Sequence, residues 1–370
     1  MDFELWILFY LYKEFGLNRE LLISILKNPW TINIIEIFLV FGIIMTTVAV
    51  LSLAERKICA RIQYRIGPNR VGPFGLLQPL ADGIKFIFKE DIIPEHVNKV
   101  FYVLAPAISI IPSLLTFAVI PFGPNTTFFG FLDTPVRLQI ADLNVGIIYV
   151  FAIASLGIYG IVLGGWASNS KYSLMGGLRS SAQMISYEIS MGLSIMGVLM
   201  MAGSLSLADI VEEQGRYWYI FPQFLGFLIF MVSSFAETNR LPFDLPEADS
   251  ELVAGYHTEY SSMKFAMFFM AEYSNMITAS AIIVSLYLGG WQGLPVGGWM
   301  GLPIVDRLWF MPVIWFCAKV GLLLFFFIWV RWSLPRFRYD QLMSLGWKVF
   351  LPLSILNILI TGALIMWDVY

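Results

Sequence analysis

The chain contains the apolar stretch YWYIFPQFLGFLIFMVSSFA (217–236), then the polar stretch ETNRLPFDLPEADSELVAGYHTEY (237–260), then a second apolar stretch, KFAMFFMAEYSNMITASAIIVSLYLG (264–289). Each apolar stretch has at least the roughly 20 residues that a helix needs to cross a hydrocarbon core of about 30 Å. The polar stretch carries six acids and one arginine, Arg240. Holding so many carboxylates at a membrane interface costs free energy, which is expected where protons or cations pass. The pattern therefore predicts two membrane helices joined by a functional acidic loop.

The composition of the whole chain predicts an integral membrane protein. Its 370 residues are 58% hydrophobic and only 13% charged, and the mean hydropathy is +0.74. Such a chain has too few polar residues to cover a surface in water. A net charge of -3 and scattered basic residues argue against a nucleic-acid partner.

Eight apolar stretches are long enough to cross a bilayer, near 31–54, 99–122, 143–166, 180–203, 217–236, 264–289, 309–330 and 348–367. They are apolar on successive residues, whereas the strands of a membrane barrel alternate. The predicted fold class is therefore an all-α integral membrane protein with eight transmembrane helices. Eight crossings place both termini on the same side of the membrane.

The basic residues are distributed unevenly between the two sides. Sixteen of the 23 Lys and Arg residues lie in the loops after spans 1, 3, 5 and 7, and six lie on the opposite side. By the positive-inside rule, both termini are outside and the acidic loop 237–263 is cytoplasmic. The short first apolar stretch does not resemble a cleavable signal. We expect a bacterial plasma (inner) membrane because no import presequence is visible, although an organelle-encoded chain would also lack one.

The long inner loop 55–95 has the periodicity of an amphipathic helix. Within GLLQPLADGIKFIFKE (75–90), apolar and polar side chains share opposite helical faces. The apolar face has Leu77, Leu80, Ala81, Ile84 and Phe88. This pattern predicts a helix on the membrane surface, and periodicity alone equally fits a connector that only fills space.

Two acids, Glu188 and Glu272, lie inside predicted spans. At 1.5 Å per residue, Glu188 is about 13 Å below the inner surface, where an ionised acid costs about 2 to 3 kcal/mol or more. A single such acid could simply pair with a neighbour and lock helices together. Two of them beneath an acidic loop favour a proton path, because neighbouring carboxylates make protonation near neutral pH accessible. Lys319, in span 7, poses the same question with the opposite charge.

The chain has few residues that could hold a redox cofactor. It contains two cysteines and two histidines, too few for an iron–sulfur cluster, and they are too dispersed for a zinc site. The glycine-rich segments lack the context of a nucleotide-binding loop. We therefore predict that this chain itself binds no cofactor and that partner subunits carry any electrons.

Four long strings resemble a known family: LAERKICARIQYRIGPNRVGPFGLLQPLADGIKFIFKED (53–91), LRSSAQMISYEIS (178–190), ETNRLPFDLPEADSELVAGYHTEYSSMKFAMFFMAEY (237–273) and RWSLPRFRYDQLMSLGWK (331–348). They are similar to the H subunit, also called subunit 1, of proton-pumping NADH:quinone oxidoreductase, respiratory complex I. The resemblance runs from about residue 35 to 367. Residues 1–30 look like a variable N-terminal extension, and residues 31–367 form a single membrane domain.

The resemblance implies an enzyme subunit that has no activity when isolated. In that family, eight membrane helices and a surface helix form the heel that joins the membrane arm to the hydrophilic arm. A quinone such as ubiquinone enters a tunnel between the first helix, the surface helix and the sixth helix, and it is reduced by an iron–sulfur cluster in a neighbouring subunit. The implied partners are the quinone-module subunits of the hydrophilic arm, the small membrane subunits and lipids. Iron–sulfur clusters and flavin would be held by the hydrophilic-arm subunits.

The resemblance also implies roles for particular residues. Those that would line or brace the quinone tunnel are Glu55, Arg56, Arg65 and Asp82. Those that would form the proton relay are Glu188, Glu237, Glu247, Asp249, Glu251, Glu259 and Glu272. Asp249 stands where some relatives have Glu, so the carboxylate there has a shorter reach. We expect the hydrophilic arm to dock on Arg331, Arg336 and Arg338, although basic residues in the inner loops also fit binding of anionic lipid or topology alone.

Other classes of protein fit parts of the pattern. A secondary ion transporter also keeps acids in its spans, yet it should show an inverted repeat, and none is visible here. An inert scaffold explains the spans but not the acids. Membrane-bound hydrogenases and ferredoxin-linked complexes share this class of subunit. The proteins that copurify with the chain, and labelling by a quinone analogue, distinguish these alternatives.

Overall fold

The computed structural model describes residues 29–126, 136–215, 217–246, 249–293 and 310–367. This part of the chain is mostly helical, and seven of its helices are long and apolar enough to cross a membrane. The predicted all-α membrane fold is confirmed at this level. The predicted N-terminal extension lies outside the described residues, except for its last two positions.

The described α-helices are α1 (Pro29–Ile62), α2 (Gln78–Phe88), α3 (Lys99–Leu115), α4 (Gly146–Ala167), α5 (Lys171–Ala202), α6 (Leu207–Glu213), α7 (Phe224–Glu237), α8 (Asp249–Leu252), α9 (Ser262–Tyr287), α10 (Met311–Ser333), α11 (Tyr339–Ser344) and α12 (Leu351–Met366). A π-helical turn, Leu345–Phe350, joins α11 to α12, and short 3-10 turns lie at Pro73–Gly75, Thr116–Val119 and Gly255–His257. The strands β1 (Gly123–Thr126) and β2 (Val136–Leu138) pair antiparallel.

The helix bounds differ from the predicted spans in two ways. The first span was predicted to end at residue 54, but α1 continues to Ile62, so Glu55 and Arg56 are helical. A hydropathy window ends at the first charges, but charges do not end a helix: Arg56 and Arg61 reach water from α1, and Glu55 is paired inside the protein. The predicted span 217–236 contains only the 14-residue helix α7, because residues 219–223 form turns before it. At 1.5 Å per residue α7 is about 21 Å long.

The predicted surface segment contains the 11-residue helix α2, which packs against α1 and α9. Every residue of α2 is at least partly exposed in the described part of the chain. Leu80, Ile84, Ile87 and Phe88 are among its exposed apolar side chains. In the chain on its own, α2 therefore presents apolar surface that its own neighbours do not cover.

Helix α9 is the most enclosed of the candidate spans. In its most apolar window 72% of the residues are buried, against 17% for α1 and for the 339–366 segment. It packs against α1, α2, α3, α6, α7 and α10. Charged side chains on α9 are therefore surrounded mainly by protein.

Helices α3 and α4 approach each other closely at Gly160. A Cβ atom added there would lie 2.3 Å from the Ser109 Oγ, 2.7 Å from the Ser109 backbone nitrogen and 2.9 Å from the Ala105 carbonyl oxygen. Backbone atoms at these distances cannot simply rotate away. Small residues at membrane-helix contacts allow such close packing, so α4 depends on this glycine to reach α3.

We expect Gly160→Ala to lower the free energy of unfolding by about 1 to 3 kcal/mol, because the added methyl group overpacks the α3–α4 contact. Gly157→Ala is a matched control on the same helix, since a Cβ there meets no atom within 4 Å. That control should be neutral or stabilising, because alanine favours helix by about 1 kcal/mol. The half-unfolding temperatures of the detergent-solubilised variants test this, and equal temperatures would contradict the packing argument.

Candidate functional site

Arg240 lies at the centre of a buried cluster of charges at the predicted inner end of the bundle. It follows α7 and is only 4% exposed. Its Nη1 lies 3.4 Å from each carboxylate oxygen of Glu55 at the end of α1. Its Nη2 lies 3.9 Å from the Glu272 Oε2 on α9. One guanidinium thus joins acids from two helices, and these carboxylates raise the pKa of Arg240 although burial opposes its charge.

The Glu55 carboxylate has three donors around it. Besides Arg240, it accepts hydrogen bonds from the Arg331 Nη1 and from the Tyr273 hydroxyl, the latter at 2.6 Å. The Arg240 guanidinium also lies over the Tyr273 ring, 4.4 Å from its centroid. With Glu55 and Glu272 ionised, the two arginines balance two carboxylates. This pairing allows ionised groups to remain so deeply buried.

A small cavity lies beside Glu272. It has about 20 Å³ of space for the centres of water molecules, which is enough for about one water. The polar residues that line it include Ser109, Glu237, Asn239, Tyr256, Glu272 and Asn275. The Tyr256 hydroxyl donates to the Glu272 Oε1 at 3.1 Å. The cavity therefore has carboxylates from α7 and α9 on its wall.

Glu188 extends this group of acids toward α4 and α5. Its carboxylate accepts a hydrogen bond from the Ser155 hydroxyl on α4. Helix α5, which carries Glu188, packs against α7, which ends at Glu237. The structure thus places Glu237 and Glu272 on the wall of one cavity, with Glu188 on a neighbouring helix, and Arg240 joins Glu272 to Glu55.

The other predicted relay acids are placed differently. Glu251 is half-exposed and pairs with the Arg179 Nη1 on α5 at 2.5 Å. The backbone carbonyl of Glu259 accepts from the Tyr102 hydroxyl at 2.6 Å. Asp249 begins α8, but its side chain lies outside the described residues, as does the whole of Glu247. The structure therefore places Glu251 at the surface, away from the buried pairs.

The predicted tunnel residues divide into two groups. Glu55 belongs to the buried cluster, whereas Arg56 and Asp82 form an ion pair of 2.6 Å that joins the end of α1 to α2. The second Asp82 oxygen accepts from the Gln78 Nε2 at 3.2 Å. Arg65 is exposed and donates to the Gln63 side chain. The pair Arg56–Asp82 therefore ties α2 to α1, and Arg65 does not take part in it.

The three arginines predicted to dock the hydrophilic arm also have different surroundings. Arg331 turns inward to Glu55, as described above. Arg336 lies 3.3 Å from Asp244, and Arg338, with a side chain 76% exposed, pairs with Asp340 at 2.8 Å. Docking on these residues stays a prediction, and of the three only Arg338 is largely exposed.

Several site residues were not among those predicted from the sequence. Arg240 could have been found, because it is the single basic residue among six acids. Asp244 is one of those six acids, whereas Tyr256 and Tyr273 carry no signal that separates them from other polar residues near a membrane helix. Asp244 is 8% exposed, and among the described residues its Oδ1 has no hydrogen-bond partner. Burial raises the pKa of Asp244 to about 6, against the opposing effect of Arg336.

Lys319 has a different role from the acids. Its Nζ donates to the backbone carbonyls of Leu288, Gly290 and Gln292 at 2.6, 3.0 and 2.6 Å, and it lies 4.5 Å from the Trp218 ring centroid. These carbonyls follow the C-terminus of α9, where a positive charge is favourable. Three acceptors satisfy the three donors of the ammonium group, so this charge stabilises the end of α9.

Comparison with known proteins gives a consistent result. The family model described as NADH dehydrogenase matches residues 35–362. The NADH-quinone oxidoreductase H subunit numbered 2 in Koribacter versatilis is 54% identical over 344 residues, covering 90% of this chain and 96% of the relative. The H subunit numbered 1 in Geobacter metallireducens is 53% identical, covering 90% and 97%. The H subunit numbered 1 in Geobacter sulfurreducens is 50% identical, covering 96% and 98%.

We expect Arg240→Gln to lower the free energy of unfolding by about 3 to 5 kcal/mol, because it leaves buried carboxylates without their shared cation. Arg338→Gln is the control, since its ion pair with Asp340 is exposed to solvent and should contribute little to stability. Thermal unfolding of the two detergent-solubilised variants measures the difference. A similar, small loss in both would show that the buried pairs do not hold the inner end together.

The Asp244 carboxyl gives a pH dependence with a definite sign. An unfolded Asp titrates near about pH 4, so between about pH 4 and 6 the folded chain keeps a proton that the unfolded chain has released. This contribution to stability is complete below about pH 4 and is lost as the pH rises through about 6. Asp244→Asn should therefore gain about 3 kcal/mol relative to the wild type between about pH 4 and 7. A pH-independent difference in unfolding free energy would refute this assignment.

Proposed function

Because the chain belongs to the family of NADH-quinone oxidoreductase H subunits, we propose that it is the heel subunit of that complex, where it forms much of the quinone-binding tunnel and couples quinone reduction to proton translocation. Its partners are the other subunits of the complex. Flavin and iron–sulfur clusters belong to those partners, and quinone is the substrate that reaches this chain. The isolated chain has no enzymatic activity in this scheme.

In this proposal the chain crosses the inner membrane of a bacterium eight times. Seven crossings are the long apolar helices described above. The remaining one, fifth in chain order, is α7 together with the turns before it, since the 14-residue helix alone is shorter than the hydrocarbon core. The excess of Lys and Arg in the loops after odd-numbered spans supports placing both termini outside. The loop 55–95, with α2, and the acidic loop 237–263 then share the inner face.

The quinone tunnel runs between α1, α2 and α9. Two observations support this course: α2 packs against both of the other helices, and it exposes Leu80, Ile84 and Ile87. Sites for apolar ligands are lined mainly by apolar side chains with a few placed polar groups. Here the polar groups are those of the Arg56–Asp82 pair, and Glu55 lies one residue before Arg56 on α1.

The coupling depends on the position of Arg240. This residue contacts Glu55, on the helix that borders the tunnel, and Glu272, on the wall of the cavity. Reduction of a quinone to quinol takes up two protons. If protonated acids of the loop 237–263 supply them, those acids become negatively charged near Arg240 and weaken its hold on Glu272. At 3.9 Å and an effective dielectric constant near 20, that interaction is about 4 kcal/mol, enough to change the protonation of the acids beyond it.

From Glu272 the path continues through the cavity to Glu237 and then to Glu188. A water in the cavity would bridge the first two acids, and the packing of α5 against α7 would let charge on Glu237 act on Glu188. The chain of carboxylates would then pass into neighbouring membrane subunits. The relatives described above are named as H subunits of NADH-quinone oxidoreductase, which favours this complex over a membrane-bound hydrogenase, a ferredoxin-linked complex or an ion transporter.

We expect the double change Glu188→Gln and Glu272→Gln, made in the assembled complex, to lower the number of protons moved per NADH oxidised. The amide side chains keep similar shapes but cannot take up and release a proton. Coupled quinone reduction should slow by about tenfold or more, which corresponds to about 1.4 kcal/mol of barrier. Glu212→Gln, at an exposed acid on the opposite side of the bundle, is the control. Pumping at the wild-type stoichiometry in the double variant would eliminate the relay role.

A further inference from the structure

The C-terminus of α2 and the N-terminus of α9 are joined by side-chain hydrogen bonds. The buried Ser262 hydroxyl lies 2.9 Å from the carbonyl oxygens of both Phe86 and Lys89, at the end of α2. The neighbouring Ser261 Oγ accepts from the Ile92 backbone N–H at 3.2 Å. Two consecutive serines at the start of α9 therefore hold the backbone where α2 ends.

Charged and aromatic contacts reinforce the same junction. Lys264 pairs with Asp91 and lies 5.7 Å from the Tyr102 ring centroid. The rings of Phe86 and Phe265 approach with centroids 6.3 Å apart. Lys264 and Phe265 follow Ser262 in the first turn of α9, so that turn contacts both the last turn of α2 and the segment after it.

The end of α2 needs such partners. The last carbonyls of a helix have no hydrogen-bond donor within the helix itself, and capping groups or water must satisfy them. Helix α2 ends in an extended residue, Lys89, rather than in a left-handed glycine that would close the last turn. The Ser262 hydroxyl supplies the donor instead. Every residue of α2 is at least partly exposed, so hydrogen bonds such as this one hold its end in place of burial.

The backbone at Ser262 is strained in the conformation that makes this bond. Its φ is +54°, in the left-handed region, which costs a residue other than glycine about 1 kcal/mol or more. Glycine would adopt the same φ freely but would lack the hydroxyl. The residue with the strained backbone is thus the one whose hydroxyl bonds to the end of α2.

We propose that Ser262, with Ser261 and Lys264, forms a clasp that fixes the end of α2 to α9, and that Ser262 is thereby a positioning residue for the quinone site. This rests on the proposed function, in which α2 borders the quinone tunnel. Ser262 also begins the helix that carries Glu272, ten residues or about 15 Å further along. The clasp thus fixes α2, which borders the proposed tunnel, to α9, which carries Glu272.

The test compares Ser262→Gly with wild type in the assembled complex. Glycine removes the hydroxyl and relieves the backbone strain, so the fold should persist. Ser280→Ala is the matched control, because that buried hydroxyl on α9 donates to the Met276 carbonyl of its own helix. Asp91→Asn is a second variant, which weakens the clasp at its exposed ion pair and leaves Ser262 in place.

The first readout is amide hydrogen exchange over residues 82–89. We expect exchange about tenfold faster in Ser262→Gly, a smaller rise in Asp91→Asn and the wild-type rate in Ser280→Ala, because the end of α2 opens more often without its cap. Exchange at the wild-type rate in both clasp variants would overturn the clasp. This readout does not depend on pumping, so it stands whether or not the relay variants behave as expected.

The second readout is steady-state quinone reduction. A positioning role predicts a KM for a short-chain quinone about 3- to 10-fold higher in Ser262→Gly, with little change in kcat and none in NADH oxidation by an artificial acceptor that bypasses the quinone site. Faster exchange in α2 with an unchanged KM would overturn the positioning role. Equal losses of quinone reduction and of NADH oxidation by the artificial acceptor would also overturn it, since they would indicate a general structural defect.

Discussion

The shared guanidinium of Arg240 is the interaction on which the inner half of this molecule depends. A membrane protein can bury ionised side chains only if an opposite charge or a full set of hydrogen-bond partners satisfies them. Arg240 supplies this for Glu55 and Glu272 together, with Arg331 and Tyr273 completing the shell around Glu55. Helix α1 must extend past its apolar span, and α7 must end before Arg240, for these groups to meet. The fold around the site follows from that requirement.

The same interaction gives the cluster its functional meaning. Because one cation holds two carboxylates, a change of charge at either acid alters the energy of the other. Glu55 lies on the helix that borders the proposed quinone tunnel, and Glu272 faces a cavity that Glu237 also lines. In the proposed function, a change of charge at Glu55 would therefore alter the protonation of Glu272 without a large movement of the backbone. The clasp at Ser262 adds a mechanical link between the same two regions.

The sequence predicts the apolar helices and the acids that lie within them, because hydropathy and the cost of buried charge are local properties. It does not predict that Arg240 meets Glu55, 185 positions away, since such a contact is set by how the helices pack. It predicts docking of the hydrophilic arm at Arg331 but not the contact of Arg331 with Glu55, which also depends on how the helices pack. It also does not predict the role of Lys319, because the backbone carbonyls that accept from its ammonium group have no sequence signal. The 14-residue α7 differs from a full span because turns precede it.

The central claim is that buried carboxyl groups exchange protons when the quinone next to them is reduced. Infrared difference spectroscopy of the assembled complex, comparing quinone-bound with quinol-bound states, measures this directly. We expect a carboxylic acid band that appears or disappears on reduction, shifts in D₂O and is lost in Glu272→Gln. A difference spectrum with the same carboxylic acid bands in wild type and in that variant would contradict the claim.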